Sequence, residues 1–113
     1  LDLVALQYAV MINGVDELYM MKTDVLSGID KLHVGTAYDL GNKIVDHFHS
    51  TSLETNKVIY SEMEGWNEDI TQLVAFEKLP KSLHNYIDFL EEKTETQVKL
   101  VSVGPDRSQT IVR

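Results

Sequence analysis

The chain has 113 residues, a formal net charge of -8 and no cysteine, and 43% of its residues are hydrophobic. This length allows at most one domain, and the apolar share is high enough for a packed core. The acidic balance argues against a nucleic-acid surface, and the lack of cysteine excludes a disulfide framework and thiolate chemistry. No apolar run is long enough to span a membrane.

The first predicted element is a helix over residues 2–13, within LDLVALQYAVMING. Asp2 suits the N-cap position, and Asn13-Gly14 is a typical stop signal. The helix has almost no polar face, which is typical of a helix buried inside a larger protein. We therefore expect the chain to be a piece of a longer protein.

Residues 17–22, ELYMMK, predict a short strand. Their nearly continuous apolar run suits a strand that is covered on both faces, as in parallel sheets. The following DVLSGID predicts a turn or a short helix that is broken at Gly28.

A β-hairpin is predicted near residues 31–50, because apolar and polar residues alternate on both sides of Gly41-Asn42. Residues 57–63, KVIYSEM, predict a further strand that ends before Gly65.

The clearest helix covers residues 80–95, where an apolar stripe recurs at helical spacing. Residues 97–104, QVKLVSVG, predict a strand that runs into a tight loop at Gly104-Pro105. The alternation of strands and helices indicates the α/β class.

Two predicted strand ends carry residues that could bind a ligand, Lys22-Thr23-Asp24 and Ser102-Val103-Gly104. Ligands of open α/β sheets bind at the carboxyl ends of strands. An aspartate fixed there can accept two parallel hydrogen bonds, which guanine offers and adenine does not, and backbone N–H groups of a glycine loop can donate to a carbonyl oxygen. From spacing alone, an ordinary solvated turn is the favoured interpretation, because a bare Lys-x-Asp occurs often by chance.

Other polar clusters are weaker candidates. His47 and His49 share a face of the predicted hairpin with His33 nearby, but no carboxylate or fourth ligand has the spacing of a zinc site. We interpret these histidines as polar decoration of an exposed hairpin. The carboxylates of SEMEGWNED lack the spacing of a calcium loop and are interpreted as a solvated loop. Phosphate-loop and nucleophile-elbow motifs are absent from the sequence.

Six segments, in order, closely resemble the C-terminal part of the adenylosuccinate synthetase family: LDLVALQYAVMINGV, KTDVLSGID, TAYD, IYSEMEGW, YIDFLEEKT and VSVGPDRSQTI. K-x-D-V-L-S-G and S-V-G-P-D-R are the specific motifs. The resemblance covers essentially the whole chain, and the family enzyme is several times longer. This chain departs from the family pattern at Met21, where the family often has Thr, and at Glu64, where the family often has Pro.

The resemblance implies a GTP-dependent ligase that joins IMP and L-aspartate into adenylosuccinate in purine biosynthesis, with Mg²⁺ present. It implies that Lys22, Thr23, Asp24, Ser102, Val103 and Gly104 bind the guanine base of GTP. It also implies a homodimer in the cytoplasm and a large, mostly parallel sheet with flanking helices.

In the family, the phosphate loop, the catalytic residues and the Mg²⁺ ligands lie upstream. Residues 1–113 are then the guanine-binding portion of one larger catalytic domain, and we expect them to be inactive alone. The alternative is a stand-alone acidic α/β interaction module without a nucleotide role.

Overall fold

The computed structural model describes residues 1–48 and 57–113. Across these ranges the elements are α1 (Leu3–Asn13), β1 (Glu17–Met20), β2 (Lys31–Asp39), β3 (Ile44–Val45), β4 (Lys57–Glu64), α2 (Lys81–Thr94), β5 (Gln97–Ser102) and β6 (Thr110–Val112). Short 3-10 helices cover Thr23–Leu26, Phe76–Lys78 and Arg107–Gln109. The predicted α/β class is confirmed. None of the helices in these ranges is long and apolar enough to cross a membrane.

Helix α1 begins and ends where the sequence predicts. The Asp2 carboxylate accepts a hydrogen bond from the Ala5 N–H at 3.0 Å, and Gly14 closes the helix in the left-handed conformation with φ 59°. The burial expected from its apolar sequence is confined to the first turn, at Leu3 and Val4. Near its other end, Met11 is 70% exposed.

The first sheet has the order β1-β5-β6. Strands β1 and β5 are parallel, with Met20 opposite Val101, and β6 returns antiparallel to β5. The predicted strand 17–22 ends two residues early, because Lys22 adopts a left-handed backbone that turns the chain out of the sheet. The carboxyl ends of β1 and β5 therefore lie at the same edge of the sheet.

The second sheet has the order β3-β2-β4 and is antiparallel. The predicted turn at Gly41 is confirmed, since the Leu40 N–H donates to the Lys43 carbonyl at 2.9 Å and Gly41 has φ 87°. However, β3 has only two residues in the described ranges, and the long partner of β2 is β4, paired from Lys31–Glu64 to Asp39–Lys57. The predicted hairpin arm beyond residue 48 lies outside the described residues.

Both sheets pack against α2 around one main core. The apolar stripe of α2 supplies Leu83 and Ile87, which are fully buried. They meet Val101 of β5 and Val34 of β2, and the loop after β4 contributes Ile70. This core fixes the position of β5, and with it the sheet edge where the ligand-binding residues were predicted.

Candidate functional site

The segment after β1 makes an unusual turn. Lys22 has φ 56° and ψ 40°, a region that non-glycine residues adopt at a cost of about 1 kcal/mol or more. Its carbonyl accepts from the Val25 N–H at 3.3 Å, and the Asp24 carbonyl accepts from the Ser27 N–H at 3.1 Å. The Lys22 side chain is exposed, Thr23 is buried, and Asp24 is half-buried. The turn therefore leaves the lysine and the aspartate accessible at the sheet edge.

The loop that follows is anchored to the end of β4. The Gly28 N–H donates to the Trp66 carbonyl at 2.8 Å, and the Trp66 indole N–H donates to the Ser27 hydroxyl at 3.0 Å. A methyl group on Gly65 would overlap the carbonyl of Ile29, so only glycine allows this approach. These contacts hold the turn around Asp24 in place.

The segment after β5 is held by its own hydrogen bonds. The Ser102 hydroxyl donates to the Gly104 carbonyl at 3.0 Å, and the Val103 N–H donates to the Gln109 carbonyl at 2.8 Å. Within the described ranges, no protein group accepts from the Gly104 N–H. That N–H is therefore a backbone donor without a protein acceptor among the described residues, at a residue that is buried in this structure.

Gln109 lies against Gly104 and was not singled out from the sequence. Its side-chain oxygen accepts from the Asp106 N–H at 3.1 Å, and its amide nitrogen donates to the Thr71 carbonyl at 3.1 Å. The Asp106-x-x-Gln109 spacing is that of a capping box, which begins the 3-10 helix Arg107–Gln109. This spacing is the signal that could have identified the residue.

The two predicted segments come together, because they follow neighbouring parallel strands and β5 contacts the 3-10 helix Thr23–Leu26. The edge thus combines a carboxylate, an ammonium group and a nearby backbone N–H that has no acceptor among the described residues. Thr23 is 1% exposed, and its hydroxyl has no hydrogen-bond partner among the described groups. It also lines a cavity of about 270 Å³ with mainly apolar walls from α1, β1 and α2, which suits apolar side chains rather than phosphate.

The histidines of the second sheet are exposed. The imidazole of His33 lies 3.4 Å from the Glu62 carboxylate, with both side chains more than half exposed, and His49 lies outside the described residues. The residues that the structure describes contain no group of three or more His, Asp or Glu that could hold a metal ion. In the loop after β4, the Thr71 hydroxyl and the Thr71 backbone N–H both donate to the Asp69 carboxylate. These hydrogen bonds lower the pKa of Asp69, and the one from the hydroxyl has the larger effect.

Comparison with known proteins shows the family of this chain. The family model described as adenylosuccinate synthetase matches residues 1–111. The chain belongs to the adenylosuccinate synthetase family. Adenylosuccinate synthetases from Christiangramia forsetii and Flavobacterium psychrophilum are 50% and 48% identical to it, each over 100% of this chain.

A solved structure of fully ligated adenylosuccinate synthetase from Plasmodium falciparum has the same fold. It superposes with a TM-score of 0.92 at 28% identity, over 100% of this chain and 28% of that chain. The chain spans 27% of the length of the two bacterial adenylosuccinate synthetases. The similarity that shows the family therefore covers about a quarter of the length of a family enzyme.

Proposed function

We propose that this chain is the C-terminal, guanine-binding portion of an adenylosuccinate synthetase. The complete enzyme would use GTP to join IMP and L-aspartate into adenylosuccinate. The observation that carries the proposal is that the segments with Asp24 and with Gly104 follow neighbouring parallel strands, and so leave the sheet at the same edge, in a chain of this family.

Asp24 is the group proposed to read the base. Its half-buried carboxylate has two oxygens that can accept from the ring N–H and the exocyclic amine of guanine. Adenine offers no such pair. Lys22 would lay its methylene stem over the flat base while its ammonium group stays in water. Thr23, which is buried, would support the turn between them from the inside of the fold.

The loop after β5 is proposed to meet the other side of the base. The Val103 N–H and the Ser102 hydroxyl are used inside the loop, which leaves the Gly104 N–H to donate to the 6-oxygen of guanine. Inosine and xanthine also carry this oxygen, so the loop would favour 6-oxo purines. Asp24 would then discriminate guanine from the other 6-oxo purines.

The remaining parts of the reaction are not assigned to this chain. Without a His/Asp/Glu cluster in residues 1–48 and 57–113, no Mg²⁺ ligand is assigned there, and we propose that the isolated chain forms no adenylosuccinate. The cytoplasmic location, the homodimer and the absence of nucleic-acid binding stay predictions. A stand-alone interaction module is disfavoured, because the chain shares its whole length with a family of ligases.

The test is Asp24→Asn in the full-length enzyme that contains this chain. Hydrogen bonds to a charged group are worth about 1.5–3 kcal/mol each, so losing the pair should lower kcat/KM for GTP at least about 100-fold. The new amide N–H opposes a donor in guanine but meets the 2-oxo acceptor of xanthine. We therefore expect relative use of xanthosine triphosphate to rise, while KM for IMP and aspartate changes little.

The matched control is Asp16→Asn, which makes the same charge change at the exposed residue before the amino end of β1. It should leave GTP kinetics within about twofold, because a surface substitution away from the site has little effect. Wild-type GTP kinetics in the Asp24→Asn enzyme would show that Asp24 is only a solvated turn residue.

A further inference from the structure

Glycine is required at position 104 because of a close contact, and not because of the backbone conformation. Its φ is not positive, whereas a methyl group built on it would overlap the carboxamide of Gln109. The three atoms nearest to that methyl group all belong to the Gln109 side chain. The carboxamide therefore lies directly against the loop that is proposed to meet guanine.

The Gln109 side chain is itself fixed at both ends. Its oxygen accepts from the Asp106 N–H, and its nitrogen donates to the Thr71 carbonyl in the loop after β4. Its backbone carbonyl accepts from the Val103 N–H. One residue thus connects the loop after β5 with a separate segment of the chain.

We propose that Gln109 is a positioning residue for the guanine pocket. Its side chain packs against Gly104, and its hydrogen bonds connect the Ser102–Gly104 segment to the loop that contains Thr71. Gln109 itself touches no substrate in this scheme. The inference rests on the proposed function, because it concerns the same pocket. It adds a residue that sets where the Gly104 N–H meets the 6-oxygen of the base.

The direct test is Gln109→Ala in the full-length enzyme. We expect KM for GTP to rise about tenfold, which corresponds to the free energy of roughly one hydrogen bond. The kcat and the KM values for IMP and aspartate should stay within about twofold of the wild-type values. Gln109→Glu keeps the acceptor for Asp106 but turns a carboxylate oxygen toward the Thr71 carbonyl, so it should resemble the alanine variant. Gln72→Ala, an exposed glutamine beside Thr71, is the matched control and should be unchanged.

A double-mutant cycle tests the contact itself. Gly104→Ala should also raise KM for GTP about tenfold, because its methyl group displaces the Gln109 carboxamide. In Gly104→Ala/Gln109→Ala that overlap is gone, so the double variant should stay near tenfold. Independent effects would multiply to about 100-fold, and that result would overturn the inference.

The base analogue ITP separates this role from that of Asp24. Inosine keeps the 6-oxygen and the ring N–H but lacks the exocyclic amine. Gln109→Ala should weaken GTP and ITP by the same factor, whereas Asp24→Asn should weaken GTP more than ITP. If Asp24→Asn leaves GTP use intact, the proposed function fails. If Asp24→Asn weakens GTP but Gln109→Ala does not, or if Gln109→Ala lowers kcat and all three affinities together, this inference alone fails.

Discussion

At the residue scale, Asp2 joins the start of α1 to the second sheet. One carboxylate oxygen caps the helix through the Ala5 N–H, and the other accepts from the Tyr38 hydroxyl at 2.5 Å. Burial of the ring, followed by the hydrogen bond and the negative charge of Asp2, raises the pKa of Tyr38 to about 12. A tyrosine pKa above its ordinary 10.0 means that the folded chain favours the neutral phenol.

This pKa predicts a loss of stability at high pH. Because the folded-state pKa is raised, the stabilisation by Tyr38 is complete below about pH 10 and is lost as the pH rises toward about 12. Ultraviolet titration of the full-length enzyme should show a late tyrosine transition that shrinks by one residue in Tyr38→Phe. Tyr60→Phe, at an exposed tyrosine, should keep that late step whole. An unchanged late transition in Tyr38→Phe would contradict the assignment.

At the element scale, Glu91 of α2 attaches the start of β5. Its carboxylate accepts from the Val98 N–H at 2.6 Å and pairs with the Arg113 guanidinium, which lies 4.5 Å from the centre of the Phe76 ring. The Arg113 N–H donates to the Lys99 carbonyl at 2.9 Å. Helix α2 and the end of the chain thereby hold the strand that leads to Ser102.

Removing this carboxylate should loosen β5. Glu91→Ala leaves the N–H of Val98, which is 1% exposed, without its acceptor, at a cost of about 2 kcal/mol. In the full-length enzyme, amide hydrogen exchange in residues 97–102 should accelerate by up to about 30-fold. Glu92→Ala, at the exposed neighbouring residue, should leave exchange unchanged. Equal exchange in the two variants would show that Glu91 does not anchor the strand.

At the scale of the whole molecule, the chain leaves apolar side chains uncovered. Met11 and Ile12 of α1 are 70% and 58% exposed, and Tyr19 in the edge strand β1 and Met21 just after it are about as exposed. The radius of gyration is 15.2 Å, against about 13 Å for a compact domain of this length. Covering about 300 Å² of apolar surface is worth roughly 7 kcal/mol, which is comparable to the stability of a whole domain.

We therefore predict that the isolated chain self-associates or aggregates. Sedimentation velocity should show species larger than a monomer that increase with protein concentration. Met11→Lys/Ile12→Lys should reduce them, because the two charges oppose burial of this end of α1. Val74→Lys, at a residue 82% exposed in the loop after β4, is the control and should have little effect. A monomeric chain with a cooperative thermal melt would refute the prediction.

The local elements followed from the sequence because their causes are local. Helix α1 ends at Gly14, a glycine that adopts the left-handed conformation, and the stripe of α2 buries Leu83 and Ile87 as its spacing predicts. The sequence by itself also indicated the family, through short motifs that occur in a fixed order. The ligand-binding roles inferred for Lys22 and Asp24 came from those motifs, since a Lys-x-Asp alone is uninformative.

Which distant segments contact each other could be seen only in the folded chain. The pairing of β2 with β4 and the hydrogen bond from the Gln109 side chain to the Thr71 carbonyl depend on packing between segments that are separate in the sequence. Strand alternation shows which face of a strand is apolar but not which strand lies beside it. The Gln109 carbonyl, which accepts from the Val103 N–H, is likewise brought to that position by the fold of the loop.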